Sequence, residues 1–178
     1  MEKEDLFKEI ILINDLNLRN DLFDYIKQNT QWDESFKSRK TASYGVPYNY
    51  SGISYENKIF PNYLRELNHL VEKHCGYEPN NCLINYYIDG LSKMGFHSDQ
   101  FDILADKTGI AIFSLGNKRV MRFKNKNDKN QIVDISLEPN SLFYMSQEVQ
   151  KFWLHSILES DNENDERISI TLRKLIVK

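Results

Sequence analysis

What most constrains this chain is the rhythm that begins after Pro79: CLINYYI, GIAIFSLG, RVMRFKN, IVDISL, SLFYMS, FWLHSI and RISITLRKLIV follow one another, separated by turn-forming residues. Short runs rich in branched and aromatic side chains, bounded by such residues, read as strands. Antiparallel strands in a two-sheet barrel or jelly roll are the expectation, and the fold class is α+β, with N-terminal helices packed outside. Lys124 to Asn130 (KNKNDKN) reads as a hairpin tip, and the acidic stretch Glu159 to Glu166 (ESDNENDE) as a loop between two strands.

The N-terminal part has a different period. Residues 9 to 13 read as a short strand, after which Leu16, Leu18, Leu22, Phe23 and Ile26 recur at roughly helical spacing, with Asn14 or Asp15 available as a cap. A second helix is expected from Tyr63 to Cys75, with Leu64, Leu67, Leu70 and Val71 on one face and Gly76 at its end. His69 and His74 read as surface residues on it.

The chain has 178 residues, about 40% of them hydrophobic, which suits one domain with a continuous core. Its net charge of −3 lacks the basic footprint of a dedicated duplex-DNA binder. Cys75 and Cys82 have neither metal-ligand spacing nor a disulfide pattern and are expected to stay thiols in a reducing compartment. The N-terminus MEKEDLFKEI has no signal-peptide hydrophobic segment, and the longest apolar runs are too short to span a membrane. A cytoplasmic monomer is the expectation.

Three short patterns carry chemistry. In MGFHSDQ, His97 and Asp99 are two apart, so on an extended segment both face the same side and can grip one metal ion. A hydrogen-bonded loop pair is the alternative for such an isolated motif. His155, on a strand candidate, could equally be a core residue or supply a second imidazole, and two histidines with one carboxylate fill one face of an octahedral iron(II) site while leaving positions open. In RISITLR, Arg167, Ser169, Thr171 and Arg173 share one strand face and Ile168, Ile170 and Leu172 the other. Two guanidinium forks there suit the two carboxylates of a 2-oxo diacid, whereas a half-exposed edge strand with solvated arginines is the plainer alternative. In LINYYIDG, Asn85 and Tyr87 again lie two apart, able to hydrogen-bond the same diacid or simply to build a tyrosine-rich strand.

The ordered series N-x-Y, H-x-D, SLG, H and R-x5-R resembles the AlkB family of dioxygenases. The resemblance runs from about Arg39 to the C-terminus through SYGVPYNYSG, LINYY, HSD, IFSLGNKRVMRF, SLFYM, FWLHSI and RISITLR. It implies a double-stranded β-helix core over residues 79–178, preceded by helices and a substrate-recognition segment in 1–78. It further implies that His97, Asp99 and His155 bind Fe(II), that Arg167 with Tyr87 holds the distal carboxylate of 2-oxoglutarate, and that Arg173 and Asn85 serve the metal-proximal end. Dioxygen is the second cosubstrate. Decarboxylation of 2-oxoglutarate to succinate would be coupled to hydroxylation of a C–H bond, and on an N-methyl carbon the hemiaminal collapses to formaldehyde and free amine.

On substrate the resemblance divides. Tyr50, with Tyr48 nearby, matches the aromatic that stacks on a flipped base, and Lys37, Arg39 and Lys40 place cations just before it. Against this, Phe101 stands where repair relatives carry an acidic base-contacting residue, the 159–166 loop is acidic where phosphate contacts call for cations, and Ser169 replaces an asparagine. Alkylated or single-stranded nucleic acid is the first expected partner; a small metabolite, peptide or protein side chain is the second; a non-catalytic binding module that keeps the fold is the third.

Overall fold

Each of the seven strand candidates forms a strand in the computed structural model, which describes residues 1–48 and 56–177. They are β3 (Asn81–Tyr87), β5 (Gly109–Gly116), β6 (Arg119–Asn125), β7 (Ile132–Leu137), β8 (Ser141–Ser146), β9 (Trp153–Ile157) and β10 (Arg167–Arg173). The expected N-terminal strand is β1 (Ile10–Ile13), and two further strands appear, β2 (Lys40–Gly45) and β4 (Met94–His97). Neither KTASYG nor MGFH shows apolar alternation, so these two are held by pairing with β3 and β9 rather than by their own pattern.

Two sheets result, in the orders β1-β8-β5-β10-β3-β2 and β4-β9-β6-β7, with every pairing between named strands antiparallel. β10 lies at the centre of the larger sheet, and all seven of its residues are buried. Its two faces bury for different reasons. Ile168, Ile170 and Leu172 join Ile84 and Phe113 beneath the helices, while Arg167, Ser169, Thr171 and Arg173 face the interior between the sheets. The half-exposed edge strand is thereby excluded.

Helix α3 (Tyr63–Cys75) has the expected bounds. Leu64, Leu67 and Val71 are buried against the sheet, and Gly76 takes φ +78°, a left-handed cap that a side chain would strain. Helix α2 corrects the expectation: it covers only Leu22–Asn29. Asp15 adopts φ +55° and the Leu18 N–H donates to Leu16 O, so the chain turns before the helix starts. Asp21, at the cap position, instead accepts from Arg19 at 2.6 and 2.7 Å. The two shortest helices, α1 (Lys3–Leu6) and α4 (Gln147–Phe152), are too brief to show a period. Among the described residues no helix is long and apolar enough to cross a membrane.

A second apolar cluster, including Ile110, Phe123, Phe143 and Trp153, fills space between the sheets and reaches the arginines through Tyr48 and Tyr87. The 159–166 loop is pinned rather than loose. Glu166 accepts from Lys27 Nζ at 2.7 Å and from the Tyr86 hydroxyl, and Glu159 pairs with Lys93 at 2.5 Å.

Candidate active site

Antiparallel pairing of β3 with β10 decides which side chains meet. Arg167 stands opposite Tyr87, Ser169 opposite Asn85 and Arg173 opposite Asn81. From the smaller sheet, His97 stands opposite His155, with ring centroids 4.3 Å apart. Between the sheets lies a cavity of 490 Å³, within the range of small-molecule sites, lined by residues of both.

At one end is Arg167, fully buried. Its Nη2 donates to Ser114 Oγ at 2.9 Å, its Cζ is 5.4 Å from the Tyr87 ring centroid, and its Nε and Nη1 have no partner among the described residues. Burial pushes the guanidinium down to about 10, with Tyr87 opposing the shift and Arg119 adding to it. A cation so buried, with unspent fork donors, is built to receive a carboxylate.

At the other end His97, Asp99 and His155 face the same space. The His97 Nδ1 lies 2.8 Å from Gly95 O; a carbonyl only accepts, so Nδ1 is the donor and Nε2 is the nitrogen left for a metal. Burial, reinforced by His97, pushes His155 down to about 3, leaving a neutral imidazole whose Nδ1 is buried without a partner among the described residues. Burial acts to raise Asp99, yet its neighbours, the Arg173 guanidinium foremost, outweigh it and hold the carboxyl below its ordinary range. Arg173 Nη2 donates to both Asp99 oxygens at 3.2 Å, and the Tyr48 hydroxyl donates to Oδ1 at 3.2 Å.

Two imidazole lone pairs beside an ionised carboxylate are the donor chemistry that iron(II) takes. The three do not close into a finished coordination set: among the described residues no three His, Cys, Asp or Glu side chains do so, because the Asp99 carboxylate is turned onto Arg173.

The remaining candidates separate. Asn85 lines the cavity but does not meet Arg173; its Oδ1 accepts from Arg39 Nε at 2.8 Å, and Arg173 Nη1 instead finds Asn81 Oδ1 at 3.3 Å, as the register requires. Arg39 is buried, its Cζ 4.2 Å from the Phe36 ring centroid, so it points into the cavity rather than out to a phosphate. Lys40 pairs with Glu34 at 2.6 Å. Tyr48 is buried with its hydroxyl on Asp99 and its ring 4.2 Å from Arg173 Cζ, which makes it a neighbour of the metal end rather than an exposed stacking platform. Burial pushes this phenol up to about 12. Phe101 is not part of the cavity lining and packs beside Lys151, whose Nζ is 5.9 Å from its ring. Tyr50 lies outside the described residues. Sequence reasoning missed Asn81 and Phe36, which carry no local signal, and gave Ser114 no role although it stands in the SLG pattern; each acts on a partner brought to it by the fold.

The sequence matches the 2OG-Fe(II) oxygenase superfamily over residues 3–173. Protein R406 of Acanthamoeba polyphaga mimivirus is 28% identical over 172 residues, 96% of this chain and 88% of that protein. The human DNA oxidative demethylase ALKBH2 is 29% identical over 149 residues, 78% of this chain. The rat alpha-ketoglutarate-dependent dioxygenase alkB homolog 3 is 30% identical over 145 residues, 76% of this chain. The chain spans 57% of the length of the human protein and 49% of the rat one. The solved structure of OsALKBH1 superposes with a TM-score of 0.66 at 14% identity, covering 93% of this chain and 98% of that one, a likeness of fold. The jelly-roll class expected from the strand series is therefore the observed one, and the chain belongs to the 2OG-Fe(II) oxygenase superfamily as an AlkB-like oxidoreductase, a class whose cofactors are iron(II), 2-oxoglutarate and dioxygen.

Proposed function

We infer that this dioxygenase removes or hydroxylates alkyl groups on nucleic-acid bases, with His97, Asp99 and His155 as iron ligands and Arg167 as the anchor of 2-oxoglutarate. The observation that carries the cosubstrate assignment is the buried Arg167 fork, two of its nitrogens unspent, at the opposite end of one cavity from two histidines and a carboxylate. Bound iron(II) and 2-oxoglutarate supply the oxidising chemistry, the latter leaving as succinate and carbon dioxide. The chain's own residues do the placing. Arg167 and Tyr87 hold the distal carboxylate, Arg173 keeps Asp99 ionised, and Ile112, Met121 and Ile157 keep the space between them apolar and poor in water.

Support for a nucleic-acid substrate comes from the relatives, one of which is named a DNA oxidative demethylase. A second reading, hydroxylation of a metabolite, peptide or protein side chain, is favoured by two of the three cations near the recognition segment: Arg39 is buried on Asn85 and Phe36 and Lys40 is paired with Glu34, while Lys37 is exposed. Phosphate contacts need cations that face solvent. A cytoplasmic setting is proposed with either reading.

The test is formaldehyde and succinate release by iron-loaded protein given 2-oxoglutarate and methylated single-stranded DNA or RNA, beside a metabolite and peptide panel. Formaldehyde with a methylated strand is the expected result. Succinate stimulated only by the panel overturns the nucleic-acid substrate and leaves the dioxygenase class standing.

A further inference from the structure

Asp99 lies two residues beyond the end of β4, where no ladder holds the main chain. Its own N–H is nevertheless satisfied: it donates to Gln150 Oε1 at 2.9 Å. Gln150 sits in α4, fully buried, five positions before His155 on a helix that runs directly into β9. A backbone N–H only donates, so the carboxamide must present its oxygen to Asp99 and its NH2 to the other side, where Nε2 lies 3.1 Å from Met145 Sδ. The orientation of this amide is therefore fixed from both ends.

A second tie joins the same two pieces of chain. Lys126, from the β6–β7 turn, donates through Nζ to the Gln150 carbonyl at 2.6 Å and to Ser98 Oγ at 3.2 Å. Helix α4 thus grips Ser98 and Asp99 on one side and continues into the strand that carries His155 on the other. The β4–β9 ladder ends at the His97–His155 pair, and beyond it the Asp99 main chain is tied toward the His155 strand through this helix.

We propose that Gln150 is a positioning residue for the metal site, its carboxamide oxygen holding the Asp99 main chain at a fixed distance from His155, with Lys126 as the outer half of the same clamp. This rests on the iron-ligand reading of His97, Asp99 and His155. Partners that orient metal ligands are commonly worth ten- to a hundredfold in metal affinity.

The experiment is titration of the metal-free protein with Co(II), read by visible absorption, together with the thermal midpoint of the same metal-free samples. Gln150→Met removes the acceptor at nearly constant volume, Gln150→Glu restores an acceptor oxygen, and Lys126→Met removes the exposed tie. The expected result is Co(II) affinity about tenfold weaker for Gln150→Met, substantial recovery in Gln150→Glu, a smaller loss in the same direction for Lys126→Met, and a midpoint for Lys126→Met equal to that of the parent. Unchanged affinity in Gln150→Met overturns the proposal. Should that variant fail to fold, unchanged affinity in Lys126→Met overturns it instead. His97→Ala separates the two layers: if it abolishes Co(II) binding while Gln150→Met does not weaken it, the ligand assignment stands and the clamp falls. If His97→Ala binds Co(II) like the parent, the ligand assignment itself falls.

Discussion

Arg173 and Asp99 are 74 residues apart in sequence and form an ion pair in which one guanidinium nitrogen is 3.2 Å from both carboxylate oxygens, with side chains only 3% and 9% exposed. Breaking such a pair by removing one partner strands a buried charge and costs about 3–5 kcal/mol. The carboxyl is held below its ordinary range, so the pair's contribution to stability is fully present above the carboxylate pKa of the unfolded chain and is lost as the pH falls through the folded value. Arg173→Met in the metal-free protein should therefore be destabilised by about 3 kcal/mol at pH 7, and the gap from the parent should narrow as the pH falls below about 4. Urea unfolding at both pH values checks this; a gap that does not depend on pH contradicts it.

For Arg167 the expectation has the opposite sign in stability. Its Nη2 donates to Ser114, and it is buried with two nitrogens that have no partner among the described residues, so Arg167→Leu should leave the metal-free protein no less stable. The same change should raise the 2-oxoglutarate requirement by at least about thirtyfold, the equivalent of about 2 kcal/mol, since it leaves a carboxylate without its partner. An unchanged requirement removes Arg167 from its assigned role.

Arg119 offers a test of the scaffold. It is buried, and its two terminal nitrogens donate to the carbonyls of Gly90, Ser92, Leu158, Asp89 and Asp165, drawing the 88–93 and 158–166 loops together. Arg119→Met removes these donors, leaving the carbonyl of buried Ser92 and the half-buried ones to find water while Gly90 O keeps the Ser160 N–H, at about 1–3 kcal/mol for each that water cannot reach. A loss of about 3 kcal/mol in unfolding free energy is expected, and a loss under about 1 kcal/mol shows that water replaces the guanidinium.

Arg39 distinguishes the cavity from the surface as the place where substrate is read. Because it lines the cavity and bonds Asn85, Arg39→Ala should reduce substrate-dependent turnover while the slower, substrate-independent conversion of 2-oxoglutarate persists. Lys40→Ala should change neither, since Lys40 is occupied by Glu34. Equal losses in both variants, measured as succinate with and without substrate, would place recognition on the outer surface.

Legibility in the sequence followed the range of each interaction. The seven strands and α3 were readable because period and punctuation are local, and Gly76 marks the helix end by itself. The odd-numbered face of β10 was readable for the same reason, and with it Arg167 and Arg173. What β10 touches was not. The pairing of Arg173 with Asn81 rather than Asn85 is a matter of sheet register, which no single strand encodes. Likewise the Tyr48 hydroxyl reaches Asp99 across 51 residues, and Arg39, which reads as a surface cation beside two lysines, is buried because β2 pairs with β3 and turns it inward. β2 and β4 escaped notice because their stability is borrowed from their partners.

The most direct measurement is conversion of labelled 2-oxoglutarate to succinate by the iron-loaded protein, compared between the parent chain and His97→Ala under the same loading. Succinate that depends on iron in the parent and disappears in His97→Ala is the predicted result. Equal succinate from both proteins, or none from a parent chain shown to bind iron and 2-oxoglutarate, would contradict the assignment of this cavity as the oxidising site.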